Sequence, residues 1–196
     1  MDEALRSKIL EVLRRHHTMT LATIRSDGYP QATTVSYIHD DLTLYFATDA
    51  TSQKAGNIKR NNKVSAAIAS ETQDFYKLRG LSMSGIATRV GDEQRAEELS
   101  LRLFRALPQS KRYVPEDPKQ LAVYEITPVA IALVDYTSGF GKTYLVELII
   151  ISILAAQLLA KRGGNYLVDV PRVTRYVSQR QAGARESGNR GYTSDG

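Results

Sequence analysis

A hydroxyl, an amide and an ammonium group stand together where the sequence pattern changes from strand to helix. Leu42–Thr48 alternates as a strand, and Asp49–Ser52 supplies side chains that can cap a helix starting at Gln53. Free backbone N–H groups and the positive end of a helix dipole favour an anion there, and Ser52 and Lys54 add a hydrogen bond and a charge. The segment predicts an anion site, while a capping Ser52 beside a solvated Lys54 is an alternative interpretation.

Short alternating segments separated by turn residues fill most of the first 148 residues. The segments that predict β-strands are Thr18–Arg25, Gln31–Ile38, Leu42–Thr48, Lys63–Ser70, Phe75–Val90, Gln120–Ile126 and Val129–Tyr136. Helical spacing predicts one helix that ends near His16, a second over Gln53–Asn61 and a third over Asp92–Leu107. Most connections are too short for parallel crossovers, so the pattern favours a mainly β fold with flanking helices and an antiparallel barrel.

The composition removes several kinds of chemistry. With no cysteine, the chain can form no disulfide, no thiolate metal site and no cysteine nucleophile, so redox chemistry would need a borrowed cofactor. His16 and His17 close a helix and His39 lies in a turn, and we expect none of them to bind a metal. No pair of side chains predicts acid–base catalysis, so no catalytic residue is assigned.

Charge and hydrophobicity are uneven along the chain. The net charge is +5, and most of the basic excess lies after residue 148, scattered among Gly, Ser and Gln with few tyrosines to stack on bases. We therefore expect no nucleic-acid binding. The longest apolar run, Leu148–Ala160, is shorter than the roughly 20 residues that span a bilayer, and the beginning of the sequence lacks the pattern of an export signal. We expect a cytoplasmic protein that does not enter membranes.

The pattern divides the chain into two parts. Residues 1–148 predict one domain with a sizeable core, and residues 149–196 predict a C-terminal extension. Within and just before the extension, Leu148–Ala160 predicts an apolar helix, whereas Arg172–Gly196 has the composition of a disordered basic tail. A helix that docks on a dimer, an anchor for a partner and an altered reading frame are all compatible with this extension.

An ordered set of short motifs runs through the first part of the chain. The motifs are Thr20-Leu21-Ala22-Thr23, Asp27-Gly28-Tyr29-Pro30, Leu44-Tyr45-Phe46 with Thr48, Ser52, Lys54, Asn57-Ile58, Asn61, Val64-Ser65, Gly85 with Ala87, and Tyr124-Glu125-Ile126-Thr127-Pro128. Each is weak alone, but their order resembles the flavin-binding split barrels of the pyridoxamine 5'-phosphate oxidase-like family, in its general-stress-protein-like branch. The resemblance ends near Gly139–Thr143.

The resemblance implies a homodimer that binds FMN in a groove between its two subunits. Family members flank the isoalloxazine ring with the second and third strands, and the matching positions are Ala32, Thr33, Thr34, Val35, Ala47 and Thr48. They hold the phosphate just beyond the third strand, at positions that match Ser52, Gln53 and Lys54. The true oxidases have arginines where this chain has Ala32 and Gln53, which leaves fewer cations for a phosphate dianion.

The resemblance also implies an FMN-dependent oxidoreductase that acts on a small molecule. A flavin carries out much of its hydride and electron chemistry by itself, so the lack of an acid–base pair does not argue against an enzyme. The true oxidases hold their vitamin substrate with an aromatic and basic pair that has no counterpart after Thr127, so we do not expect oxidation of pyridoxamine phosphate. Two alternatives stay open: a non-catalytic flavin or haem binder used in storage, sensing or stress response, and a reductase that uses the deazaflavin F420.

Overall fold

The computed structural model describes residues 1–70, 72–107, 120–149 and 173–177. The helices in these ranges are α1 (Glu3–Arg15), α2 (Gln53–Arg60) and α3 (Glu93–Ala106). The strands are β1 (Thr18–Ile24), β2 (Pro30–Ser36), β3 (Ile38–Asp40), β4 (Thr43–Asp49), β5 (Lys63–Ala69), β6 (Arg79–Arg89), β7 (Leu121–Asp135), β8 (Thr143–Ile149) and β9 (Val173–Val177). Short 3-10 turns, Phe75–Lys77 and Tyr136–Ser138, precede β6 and follow β7.

The strands of these ranges form one antiparallel sheet that curls until its two ends approach each other. The strand order is β2-β1-β5-β6-β7-β4-β3, with β8 paired to β7 and β9 paired to β8. β2 and β3 are joined through buried Tyr37 yet occupy opposite ends of this order. Because β2 also contacts β4, the barrel closes except for a split beside β2. The predicted mainly β fold, an antiparallel split barrel with flanking helices, is confirmed, and its dimeric state stays a prediction.

Strand β7 is continuous where the sequence pattern predicts two strands separated by Thr127 and Pro128. Pro128 lies opposite Gly85, where the register between β6 and β7 shifts. A proline can stay in a sheet at such a bulge because the ladder is already interrupted there. Gly85 is needed at the same place, since an added Cβ would lie 2.7 Å from Ile126 Cγ2 and 2.9 Å from the Thr127 carbonyl oxygen.

Helix α1 packs its apolar face against the sheet. Its side chain cap is Asp2, whose carboxylate accepts a hydrogen bond from the Ala4 N–H at 2.9 Å. Near its end, the hydroxyl of buried Tyr37 donates to the Leu13 carbonyl at 3.1 Å, and burial raises the pKa of Tyr37. Full burial of a Leu or Ile side chain stabilises the fold by roughly 1.5–3 kcal/mol. The buried residues of this helix are Leu5, Ile9, Leu10, Val12 and Leu13.

A buried carboxylate ties α1 to β6 and β7. Asp135 has no exposed surface, and it accepts hydrogen bonds from Lys8 Nζ at 2.9 Å and from Arg79 Nε at 3.1 Å. Burial opposes ionisation of Asp135, but the hydrogen bonds from Thr137, Lys8 and Arg79 outweigh it and hold the pKa of this carboxyl well below its usual range. The ionised group therefore acts as a fixed link between three elements of the barrel.

Helix α3 is held against β3 and β4 by an ion pair and a small apolar cluster. Arg102 donates to both carboxylate oxygens of Asp40, at 2.6 and 2.9 Å. This hydrogen bonding holds the pKa of Asp40 below its usual range. The guanidinium carbon of Arg95 lies 5.8 Å from the centroid of the Tyr45 ring, and buried Leu99 packs in the same apolar cluster as Tyr45 of β4. The helix thus supports β4, whose end reaches the candidate site described below.

The C-terminal extension differs from its sequence prediction where the structure describes it. Leu148 and Ile149, the first residues of the predicted apolar helix, belong to β8, and residues 150–160 lie outside the described ranges. A short apolar run suits a buried strand as well as a helix, so periodicity alone does not separate the two. Val173–Val177, inside the segment predicted to be disordered, is β9 and pairs with β8. The division of the chain after residue 148 stays a prediction.

Among the helices in residues 1–70, 72–107, 120–149 and 173–177, none combines the length and the apolar character that spanning a bilayer requires.

Candidate cofactor site

The candidate site lies where β4 ends and α2 begins. Ser52 caps α2: its hydroxyl accepts a hydrogen bond from the Ala55 N–H at 3.4 Å, and its carbonyl accepts one from the Gly56 N–H at 3.0 Å. The N–H groups of Gln53 and Lys54 belong to the first turn, which a helix leaves without internal acceptors. This end of α2 therefore offers two N–H donors and the positive end of the helix dipole to an anion.

Three polar side chains converge at this end of α2. Thr48 Oγ1 lies 3.2 Å from Ser52 Oγ, and it accepts a hydrogen bond from Lys54 Nζ at 3.3 Å. All three residues are partly exposed, so a ligand can reach them. Capping does not exclude binding, because the Ser52 hydroxyl can accept from the helix and still donate its own hydrogen. The structure thus brings together two of the three predicted phosphate residues, and it adds Thr48, which was predicted to line the ring.

One carboxylate lies close to these donors. Asp49 Oδ1 accepts hydrogen bonds from the Thr51 hydroxyl and from the Thr51 N–H, both at 2.6 Å. These hydrogen bonds, aided by the nearby Lys54 charge, hold the pKa of Asp49 below its usual range, so the group is ionised at neutral pH. Its charge offsets part of the Lys54 charge. An anion must therefore be held chiefly by oriented donors rather than by a large excess of positive charge.

Strand β2 forms the wall beside the split. Within the described residues it pairs with β1 alone, so its other backbone edge is free. Ala32 and Thr34 point outward and are exposed, whereas Thr33 and Val35 point inward. The four residues predicted to line the ring thus lie on two faces, and a flat ligand can reach all of them only along the backbone edge. The N–H and C=O groups of such an edge can bond a ring that carries both donors and acceptors.

Thr33 carries a buried hydroxyl that has no hydrogen-bond partner in the described part of the chain. Leaving such a group unpaired costs roughly 1–3 kcal/mol, so native proteins seldom do it without a ligand, a water molecule or another chain to complete the bond. This hydroxyl lies on the strand that was predicted to line the isoalloxazine. The unpaired atom and the donors at the start of α2 both fit a polar ring that carries a phosphate.

A row of amide side chains joins β2 to α2. Gln31 Nε2 donates to Gln53 Oε1 at 2.6 Å, and Gln31 Oε1 accepts from Asn57 Nδ2 at 3.0 Å. Arg60 Nη2 donates to Asn57 Oδ1 at 2.7 Å. Gln53 is a site residue that the sequence predicts, whereas Gln31, Asn57 and Arg60 are site residues that it does not predict. Gln53, Asn57 and Arg60 are spaced four and then three residues apart, which places them on one helix face and was a usable signal.

The other sequence-predicted residues lie apart from the donors. Ala47 packs towards the α3 cluster with Tyr45, so only its backbone can face a ligand at the split. His39 lies in β3, where its Nδ1 is 2.9 Å from the Asp41 carbonyl oxygen. In the ranges that the structure describes, no three His, Asp or Glu side chains are grouped so as to hold a metal ion.

One family model matches most of this fold. It is that of pyridoxamine 5'-phosphate oxidase, and the match spans residues 5–135. The chain belongs to this family. The matched region runs from α1 to the end of β7 and includes every residue of the candidate site, while β8 and the sequence after it lie beyond the match. The family resemblance inferred from the motifs is confirmed.

One curated protein and two solved structures illustrate what this chain is similar to. General stress protein 26 of Bacillus subtilis (strain 168) is 30% identical over 74 residues, which are 38% of this chain and 52% of that protein, so the chain spans about half the length of this curated relative. A Listeria innocua structure provisionally described as a pyridoxamine 5'-phosphate oxidase is 26% identical, with a TM-score of 0.57 over 67% of this chain and 98% of that one. A haem-binding protein of Mycobacterium smegmatis shares the fold with a TM-score of 0.61 at 18% identity, over 71% of this chain and 56% of that one.

Proposed function

We propose that this chain is an FMN-dependent oxidoreductase that acts on a small molecule other than pyridoxamine phosphate. The observation that carries the proposal is the convergence of Thr48, Ser52 and Lys54 on the first turn of α2. Two hydroxyls, one ammonium group and free N–H groups suit the oxygen atoms of a phosphate. FMN supplies hydride and electron transfer when it is bound.

The remaining residues then have definite tasks. Ser52, Gln53 and Lys54 hold the phosphate, and the free edge of β2 along Ala32–Val35 orients the ring. The Thr33 hydroxyl gains the partner that it lacks in the described chain. The backbone of β4 at Ala47 and Thr48 borders the other side of the split. No side chain is assigned as a catalytic acid or base, so the protein contributes binding and orientation to the reaction.

We further propose that the protein is a homodimer with the flavin beside the subunit interface. The central part of the outer face, across β2, β1, β5, β6 and β7, carries small side chains in register, which lets another sheet approach closely. The two neighbouring rows on this face are Thr34, Thr20, Ala67, Ser82 and Ala132, and Ala32, Ala22, Ser65, Ser84 and Ala130. Ala32 and Thr34 belong both to this face and to the predicted ring site, which links dimerisation to cofactor binding.

Light scattering during size-exclusion chromatography tests the dimer. Ala67 is exposed at the centre of one row, so Ala67→Arg leaves the core intact and places a long charged side chain on the face. We expect a dimeric native protein and a monomeric Ala67→Arg variant that also binds FMN more weakly. Lys63→Arg, at an exposed position of the same strand that is already charged, is the control. A monomeric native protein would contradict this part of the proposal.

The cofactor is tested first by the absorbance of the protein purified without additions, and by mass spectrometry of what denaturation releases. We expect the bands of an oxidised flavin and the mass of FMN. Oxidation of NADH or NADPH by the loaded protein, faster than by the same amount of free FMN, then tests for an enzyme. A protein that binds FMN but accelerates no transfer is a binder instead. A cytoplasmic location, the remaining part of the proposal, is tested by cell fractionation.

Haem binding is the second candidate, and the shared fold of the Mycobacterium smegmatis haem-binding protein is the observation that favours it. A Soret band in the purified protein would support it. Against it, His39 lies in β3 and His17 follows α1, so neither belongs to the β2 edge or to the start of α2. F420 is the third candidate, because the site has fewer cations than the true oxidases. Competition between FMN and F420 for the apoprotein shows which of these two cofactors binds more tightly.

A further inference from the structure

The hydrogen bonds of the amide row between β2 and α2 all point the same way. Arg60 carries only donors, so the oxygen of Asn57 must face it, at 2.7 Å. The nitrogen of Asn57 then donates to Thr23 and to Gln31, both at 3.0 Å. Gln31 must present its oxygen to that nitrogen, so its own nitrogen donates to Gln53 Oε1 at 2.6 Å. In every hydrogen bond of the row, the donor therefore lies on the Arg60 side and the acceptor on the Gln53 side.

The row is fixed at its centre. Asn57 is 0% exposed and Thr23 is 1% exposed, so neither can exchange its partner for bulk water. Turning the Asn57 amide over would set its N–H groups against the Arg60 donors and leave buried groups unpaired, which proteins avoid. A Cβ at position 56 would lie 3.7 Å from Arg60 Nη1, an ordinary contact distance, which shows how close the guanidinium lies to its own helix. The guanidinium is thus folded back along α2 and held against Asn57.

Only one group is left at the outer end of the row. Gln53 is exposed and is the first residue of α2, between Ser52 and Lys54. An unrestrained glutamine can offer a ligand either its oxygen or its nitrogen. Because Gln31 occupies the oxygen of Gln53, the amide can offer a ligand its N–H donors. Hydrogen bonds in a row strengthen one another, and a cation at the start of the row adds to that effect.

We infer that Arg60 is a positioning residue for phosphate binding, which acts through Asn57 and Gln31 to orient and polarise the Gln53 amide as a donor to the cofactor phosphate. The inference rests on the proposed FMN site. It accounts for a glutamine at position 53, where the family resemblance implies an arginine in the true oxidases: the cation is retained, but it lies behind the amide instead of touching the phosphate.

FMN and riboflavin, which lacks the phosphate, are the two probes, and dissociation constants come from titrating flavin fluorescence with apoprotein. Arg60 is exposed and methionine keeps its helix propensity, so Arg60→Met should fold, as circular dichroism will verify. We expect Arg60→Met to weaken FMN binding about fivefold, the ratio for replacing a charge-reinforced hydrogen bond by an ordinary one, and to leave riboflavin binding unchanged. Arg60→Lys, which still has only donors, should recover most of the affinity. Lys59→Met removes the same charge from the neighbouring exposed position and should have little effect.

The double variant tests the route of action. If Arg60 acts through Gln53, then Arg60→Met should change FMN binding less than about twofold in a Gln53→Ala background, because the coupled effects of a row are not additive. A full fivefold loss in that background would mean a direct charge effect and would overturn the inference. An equal loss for riboflavin would show a merely structural role and would also overturn it. If the native protein binds no FMN, the proposed function itself is overturned. If Arg60→Met binds FMN as tightly as the native protein does, the inference alone is overturned.

Discussion

Lys54→Ala is the substitution that tests the phosphate assignment most directly. Lys54 is half-buried, and its ammonium group lies 3.3 Å from Thr48 Oγ1 in the first turn of α2. A hydrogen bond to a charged group contributes about 1.5–3 kcal/mol, and the ionised Asp49 beside the site offsets part of it. We therefore expect a loss of about 1–3 kcal/mol in FMN binding, which is about 5- to 150-fold in the dissociation constant.

Isothermal titration of apoprotein with FMN and with riboflavin measures this loss. Riboflavin has no phosphate, so its affinity for Lys54→Ala should equal its affinity for the native protein. Lys59→Ala is the matched control, since it removes a lysine from the exposed last turn of the same helix. Unchanged FMN affinity in Lys54→Ala would refute the phosphate assignment, and an equal loss for riboflavin would refute the idea that Lys54 acts on the phosphate.

Two further predictions concern the barrel that positions the site. Asp135→Asn should lower the free energy of unfolding by about 3 kcal/mol in urea denaturation at pH 7, because Lys8 and Arg79 lose a buried charged partner. The folded state holds the pKa of Asp135 below its unfolded value of about 4, so the ionised carboxylate stabilises the fold above that pH, and this contribution is lost as the pH falls further. The difference in unfolding free energy between the native protein and Asp135→Asn should therefore shrink below about pH 4. A difference that stays constant with pH would contradict this account. Gly85→Ala should cost about 1–3 kcal/mol in the same assay because its Cβ meets the β7 backbone, whereas Gly91→Ala, whose Cβ meets nothing within 4 Å, should be nearly neutral; equal effects would mean that the close approach at the bulge is unimportant.

The sequence pattern predicts the local elements well where one segment contains the whole signal. The apolar spacing of α1, the capping residues before α2 and the alternation of β5 each lie within a few neighbouring residues, and the structure has all three elements at the predicted places. Strand β7 shows the limit. Pro128 usually interrupts a strand, and it is tolerated here because β6 shifts register opposite it at Gly85. That compensation depends on a strand about forty residues earlier in the sequence, which no local window contains.

The residues of the candidate site also differ in how far a local stretch of sequence predicts them. Ser52 and Lys54 follow a strand and begin a helix, so their chemistry can be inferred from spacing alone. Gln31 cannot be found in this way, because it joins Asn57 across 26 residues and gains its meaning only when β2 lies beside α2. Thr33 is a mixed case, because the family resemblance names the position but an ordinary strand residue gives no sign that its hydroxyl will be buried and unpaired. Relations between elements, rather than residue types, supply what the sequence lacks at these two positions.

One of the two departures from the true oxidases follows from the arrangement of the site. Position 53 carries the amide that pairs with Gln31, and an arginine has no acceptor for the Gln31 nitrogen. Gln53 thus suits the amide row with Arg60 behind it, whereas nothing in the structure explains the alanine at position 32. The smaller number of cations therefore does not by itself favour F420 over FMN, because the donors that remain are oriented towards one anion.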